Sequence, residues 1–120
     1  MYRYSVLTVY ILIKLCAVEE LEDGQSKGIK VAEKSILLVK KYGDIHVYEN
    51  RCPHLGIQME MVPDQFLDSS RSLIICAMHG ALFRIEDGQC VSGPCLTDKL
   101  TAIDFEVNNG FIYLTGDKAE

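Results

Sequence analysis

IICAMHGALFRIEDGQCVSG, residues 74–93, carries two signals in twenty positions. Its second half holds ALFRI (81–85) and QCVSG (89–93), two short β-prone runs on either side of Glu86-Asp87-Gly88. The Asp-Gly pair supplies the positive φ that a tight hairpin turn needs. Its first half places a thiol and an imidazole, Cys76 and His79, three residues apart and just before Gly80. The same combination stands in ENRCPHLGIQ, residues 49–58, where Cys52 and His54 precede Gly56. The chain has three histidines, and two of them are committed to these boxes.

Outward from this stretch the hairpin pattern repeats. SILLVKK (35–41) and DIHVYEN (44–50) flank Tyr42-Gly43, while AIDFEV (102–107) and FIYLT (111–115) flank Asn108-Asn109-Gly110. No long segment sustains a 3.6-residue apolar period, and VEELEDG (18–24) is long enough for one short helical turn only. The pattern predicts an all-β fold, a small antiparallel β-sandwich or barrel. Two segments fall outside it. Residues 51–58 read as a loop after a strand, and residues 60–72, EMVPDQFLDSSRS, read as a polar excursion before the strand LIIC. Loops on a rigid β scaffold are where reactive groups are usually presented.

The totals narrow the classes of function. At 120 residues the chain makes one domain, long enough to bury a core without disulfides. Seventeen acidic against twelve basic residues give a net charge of −5. Nucleic acid is therefore not an expected partner, whereas a basic protein surface is. The five cysteines, at 16, 52, 76, 90 and 95, are an odd number. That argues against a purely disulfide framework and suits metal ligation in a reducing, cytoplasmic setting. Cys16 reads as a small core hydrophobe, His46 as a surface strand residue, and Cys90 and Cys95 as a reduced pair near the box loops rather than a disulfide.

Near the N-terminus, YRYSVLTVYILIKLCAV invites a membrane or export reading. Its uncharged run, Ser5 to Ile13, ends at Lys14, well short of the roughly 20 residues a spanning helix requires, and no small-x-small cleavage site follows. Its β-branched and aromatic content favours a strand. Residues 1–13 are expected to form an extension of this kind, an added edge strand open to self-association, with no membrane partner.

Written out, the two boxes are C-x-H, 21 residues, then C-x-x-H. Two thiolates and two imidazoles make four metal ligands. One reading is a structural zinc site, although the single-residue gap between Cys52 and His54 is tight for gripping one ion. Another splits each pair between the two irons of a [2Fe–2S] cluster, so that each loop straddles the cluster and the short gap is tolerated. A third is two unrelated pairs of loop residues. Gly56 and Gly80 suit the second reading, because they permit positive φ and let backbone N–H groups approach bulky sulfide. Pro53 stiffens the first loop.

CPHLG and CAMHG, spaced in this way, resemble the two ligand boxes of the Rieske iron–sulfur proteins. The resemblance runs from KLCAVEEL at Lys14 through GPC at Gly93 to the C-terminal hairpin. It implies one [2Fe–2S] cluster, with Cys52 and Cys76 on the inner iron and His54 and His79 on the outer, solvent-facing one. It further implies a single Rieske domain over residues 14–120, a β base carrying a cluster-binding subdomain of two loops within about residues 50–95. The chain departs from the Rieske subunits of respiratory and photosynthetic complexes. Their extra cysteine in each box is replaced by Ile57 and Met78, so the disulfide clasp is absent. Their serine and tyrosine after the second box are replaced by Ala81 and Phe83.

These departures resemble the soluble bacterial Rieske-type ferredoxins that serve ring-hydroxylating oxygenases. The resemblance implies a one-electron carrier, not an enzyme, working between a flavoprotein reductase and an oxygenase component. An iron–sulfur redox sensor and a small accessory subunit of a larger oxidoreductase stay open as alternatives. Oxygenase catalysis is not expected, since only His46 remains to ligate a mononuclear iron. Pro53, Leu55, Met78 and Phe83 are candidates for an apolar rim around the histidines. Without the hydroxyl donors, the midpoint is expected towards the lower end of the Rieske range, roughly −150 to 0 mV.

Overall fold

The computed structural model describes residues 11–31, 33–53 and 56–116. Among these described residues nine strands run in the order β1 (Ile11–Ala17), β2 (Gln25–Val31), β3 (Lys34–Lys41), β4 (Asp44–Glu49), β5 (Leu73–Ile75), β6 (Leu82–Arg84), β7 (Cys90–Ser92), β8 (Phe105–Asn108) and β9 (Phe111–Gly116). The helical content of the described residues is one 3-10 turn, Val18–Glu20, at the place expected for a short helical turn. All paired strands are antiparallel, in three three-stranded sheets ordered β1-β9-β8, β2-β3-β4 and β5-β6-β7. The fold is all-β, as the hairpin pattern predicts. Among the described residues no helix is long and apolar enough to cross a membrane.

The chain divides into two compact units, residues 21–103 and the two flanks that enclose them in sequence. In the flanking unit β9 is the central strand, with a bulge in its pairing to β1 between Lys14 and Cys16. Cys16 is buried in β1, and the Lys14 ammonium lies 4.1 Å from the centre of the Phe111 ring. Asn109 and Gly110, both at positive φ, make the turn between β8 and β9. Such a turn twists in the same sense as the strands it joins. The first ten residues of the expected N-terminal extension lie outside the described residues.

The unit of residues 21–103 is built on β3. Ile36, Leu37, Leu38 and Val39 are all fully buried, so this central strand is apolar on both faces and shows no alternation. Tyr42 and Gly43 turn it into β4, again with both residues at positive φ. Leu37, Val39 and Tyr48 from this sheet share one core with Ile74, Phe83 and Ile85 from the β5–β7 region.

The polar excursion 60–72 contributes Phe66, which is fully buried in that core. Its backbone docks on β2. Ser26 Oγ donates to the Asp64 carbonyl (2.7 Å) and accepts from Phe66 N–H (3.1 Å), while Gly28 N–H donates to the Asp64 carboxylate (2.8 Å). A Cβ on Gly28 would stand only 3.1 Å from the Phe66 ring, so the small residue is what lets β2 lie this close.

Candidate metal centre

Each box forms a short loop closed in the same way. In the first, Gly56 N–H donates to the Cys52 carbonyl (2.6 Å) and Cys52 N–H donates to the Ile57 carbonyl (2.7 Å). In the second, Gly80 N–H donates to the Cys76 carbonyl (2.7 Å) and Cys76 N–H donates to the Ala81 carbonyl (2.9 Å). Both closures place the fifth residue of the loop in the left-handed region, with φ +71° at Gly56 and +70° at Gly80. Glycine takes that conformation without the Cβ penalty of other residues. In sequence, histidine occupies the third place of one loop and the fourth of the other.

The loops bring Cys52 and Cys76 together. Both are fully buried, with the two thiols close enough to influence one another. Burial raises the Cys76 thiol above the ordinary range, the neighbouring Cys52 thiol raises it further, and the nearby Met78 and His79 amides pull the other way. Amides beside a buried sulfur favour a thiolate, the form in which cysteine binds a metal. The donor set fits an iron–sulfur group: two convergent sulfurs inside, and His79 on an exposed stretch of loop outside. His54 and Leu55 lie outside the described residues.

The support beneath the first loop was not anticipated from the sequence. Asn50 is buried, its side-chain carbonyl accepts from Met59 N–H (3.0 Å), and its amide donates to Glu60 Oε1 (2.8 Å) and Ser35 Oγ (3.1 Å). One side chain thereby ties the end of β4 to the chain leaving the first box. The Arg51 guanidinium lies across Gly56, where a Cβ would come within 2.9 Å of Nη2. A third loop closes on the second box, since a Cβ on Gly93 would stand 2.8 Å from Ala81 Cα.

The other candidates divide. Met78 is 54 % exposed and Pro53 is half-buried, as rim residues can be, but Phe83 is fully buried and is no part of a rim. Along β6 the side chains alternate, which turns Phe83 into the core and leaves Arg84 outside. His46 is half-buried in β4, paired with Val39 across the sheet. Cys90 and Cys95 are free thiols with their sulfurs 2.9 Å apart. Burial and the contact with Cys90 push the Cys95 thiol up to about 12.

The family model of the Rieske [2Fe-2S] domain matches residues 12–106. The chain belongs to the Rieske [2Fe–2S] family. One [2Fe–2S] cluster is the cofactor of a Rieske domain. Relatives include a ferredoxin named CarAc from Metapseudomonas resinovorans, 30% identical over 109 residues, which cover 90% of this chain and 96% of that one. Apoptosis-inducing factor 3 of Homo sapiens is 30% identical over 104 residues, covering 87% of this chain. The match spans 16% of the length of that human relative and 13% of its Mus musculus counterpart. The Rieske fold is shared with the ferredoxin of carbazole 1,9a-dioxygenase from Nocardioides aromaticivorans IC177, at a TM-score of 0.71 and 18% identity, covering 88% of this chain and 98% of the other.

Proposed function

We propose that this protein is a one-electron carrier that takes electrons from a flavoprotein reductase, passes them to an oxygenase component, and has no catalysis of its own. The reading rests on one observation: two loops closed by the same pair of backbone hydrogen bonds bury Cys52 and Cys76 in one core. Cys52 and Cys76 hold the inner iron and His54 and His79 the outer, with the cluster-binding part at about residues 50–95. Bound there, a Rieske cluster supplies reversible one-electron chemistry. Pro53, Gly56 and Gly80 keep the loops in the shape that presents the ligands. Ala81 and Phe83 are buried and carry no hydroxyl to donate to sulfide, which favours the lower part of the Rieske range, roughly −150 to 0 mV.

The ferredoxin name of the relative that matches along nearly its whole length supports the carrier role. A carrier must leave its partner after each transfer, so a small, weakly held contact around the exposed histidine loop suits the task. The odd count of five cysteines suits a reducing compartment, and we place the protein in the cytoplasm on that ground. A second role, as a module of a larger oxidoreductase, is favoured by the length of the human relative.

The test is electron paramagnetic resonance of dithionite-reduced protein purified without air, with iron and acid-labile sulfide counted on the same sample. Two irons and two sulfides per chain, with an average g below that of four-cysteine clusters, are expected. His79→Ser should lose the signal and His46→Ser should keep it. Stoichiometric zinc without sulfide would overturn the reading.

A further inference from the structure

We infer that Cys90 and Cys95 form a redox-active dithiol that peroxides oxidise to a disulfide, fastening the 90–98 loop against the second ligand loop. Neither thiol belongs to the proposed ligand set. They are 3 % and 1 % exposed, and their sulfurs lie 2.9 Å apart, about 0.9 Å beyond the covalent distance of about 2.05 Å. The Cys90 thiol also donates to the Ser92 carbonyl at 3.4 Å.

The loop is held at its neck, so closing the bond asks little of the backbone. Cys90 N–H donates to the Asp98 carbonyl (3.0 Å), Asp98 N–H donates to the Cys95 carbonyl (2.8 Å), and Gln89 bridges to Lys99. The four residues between the cysteines, 91–94, are all exposed. A small oxidant therefore needs only local opening of a surface loop to reach the pair.

The chemistry balances with one peroxide. The sulfur of one cysteine attacks the O–O bond of hydrogen peroxide, giving a sulfenic acid and releasing water. The second sulfur then attacks the sulfenic sulfur, forming S–S and releasing a second water. Two S–H bonds are lost, the sulfurs give up two electrons, and the peroxide is reduced. The consequence follows from Gly93. It lies between the two cysteines with its Cα against the backbone of Ala81, which closes the Cys76–His79 loop. Linking the cysteines removes the loop's freedom to lift from that contact. The inference holds whatever the ligand loops contain, so it stands or falls separately from the cluster.

The test uses the full chain as purified. After hydrogen peroxide treatment, quenching and alkylation under denaturing conditions, trypsin should release residues 85–99, which contain only these two cysteines. The expected peptide is lighter by two hydrogens and unalkylated. Amide hydrogen exchange over residues 76–81 and 90–98 should slow several-fold, return on adding dithiothreitol, and show no such dependence in Cys95→Ser. A doubly alkylated peptide, or sulfinic acid without the cross-link, would overturn the disulfide. Unchanged exchange in the cross-linked protein would overturn the fastening.

Discussion

Gly80 and Gly93 both have positive φ, yet their surroundings differ. A Cβ at Gly80 meets nothing within 4 Å, whereas one at Gly93 runs into the Ala81 backbone. Gly80→Ala should therefore cost only the left-handed strain, roughly 1–2 kcal/mol. Gly93→Ala adds the overlap and should cost about 3 kcal/mol or more. Urea denaturation of the two variants checks the order. Gly80 was legible in the sequence because its role is local, set by the five-residue loop it closes. Gly93 was not, since its constraint comes from a residue twelve positions away. Phe83 misled for a related reason: nearness in sequence to a cysteine–histidine box says nothing about which face of β6 a side chain takes.

Among the elements, the β6–β7 hairpin is joined to β4 by Tyr48, whose hydroxyl donates to the Ile85 carbonyl at 2.6 Å. Burial, with the Asp87 and Glu86 charges nearby, pushes the Tyr48 phenol up to about 12. An unfolded tyrosine ionises near 10. The stability this raised value represents is complete below pH 10 and lost as pH rises towards 12. Wild type should weaken more steeply across that window than Tyr48→Phe, which itself starts lower by about 1 kcal/mol for the lost hydrogen bond. Denaturation midpoints at pH 9 to 12 measure both effects.

In the hairpin turn, Asp87 is held down to about 2, first by its hydrogen bonds with Arg84 and then by the Gln89 amide. Its contribution is present above the unfolded value of about 3.9 and fades as pH falls to about 2. Asp87→Asn should flatten the acid limb over that interval, and high salt should shrink the difference. All three tight turns could be read from Gly pairs, because positive φ is a local demand. Strand β2, QSKGIKV, could not: its side chains are largely polar, and what holds it is pairing with β3 and the docked segment around Phe66. The polarity of residues 60–72 likewise concealed a fully buried ring.

For the molecule as a whole, the net charge of −5 governs encounters more than the fold. If the proposed carrier meets an acceptor with a basic face, the second-order rate constant for electron transfer should fall severalfold between 10 mM and 0.5 M salt, as the screening length drops from about 30 Å to below 8 Å. Stopped-flow mixing with a reduced sample measures this, and a flat profile would assign docking to apolar contacts such as Met78. The family was legible because its cysteine–histidine boxes are local; the bracing by Asn50 and Gly93 was not, because both connect segments distant in sequence. In the flanking unit, Ile11 pairs with Gly116 across β1 and β9. The chain thus enters and leaves that sheet at one spot. Such a sheet lends itself to circular permutation: a short linker from Gly116 to Ile11 closes it, and new ends open at Tyr42-Gly43, a tight exposed turn outside both cysteine–histidine boxes.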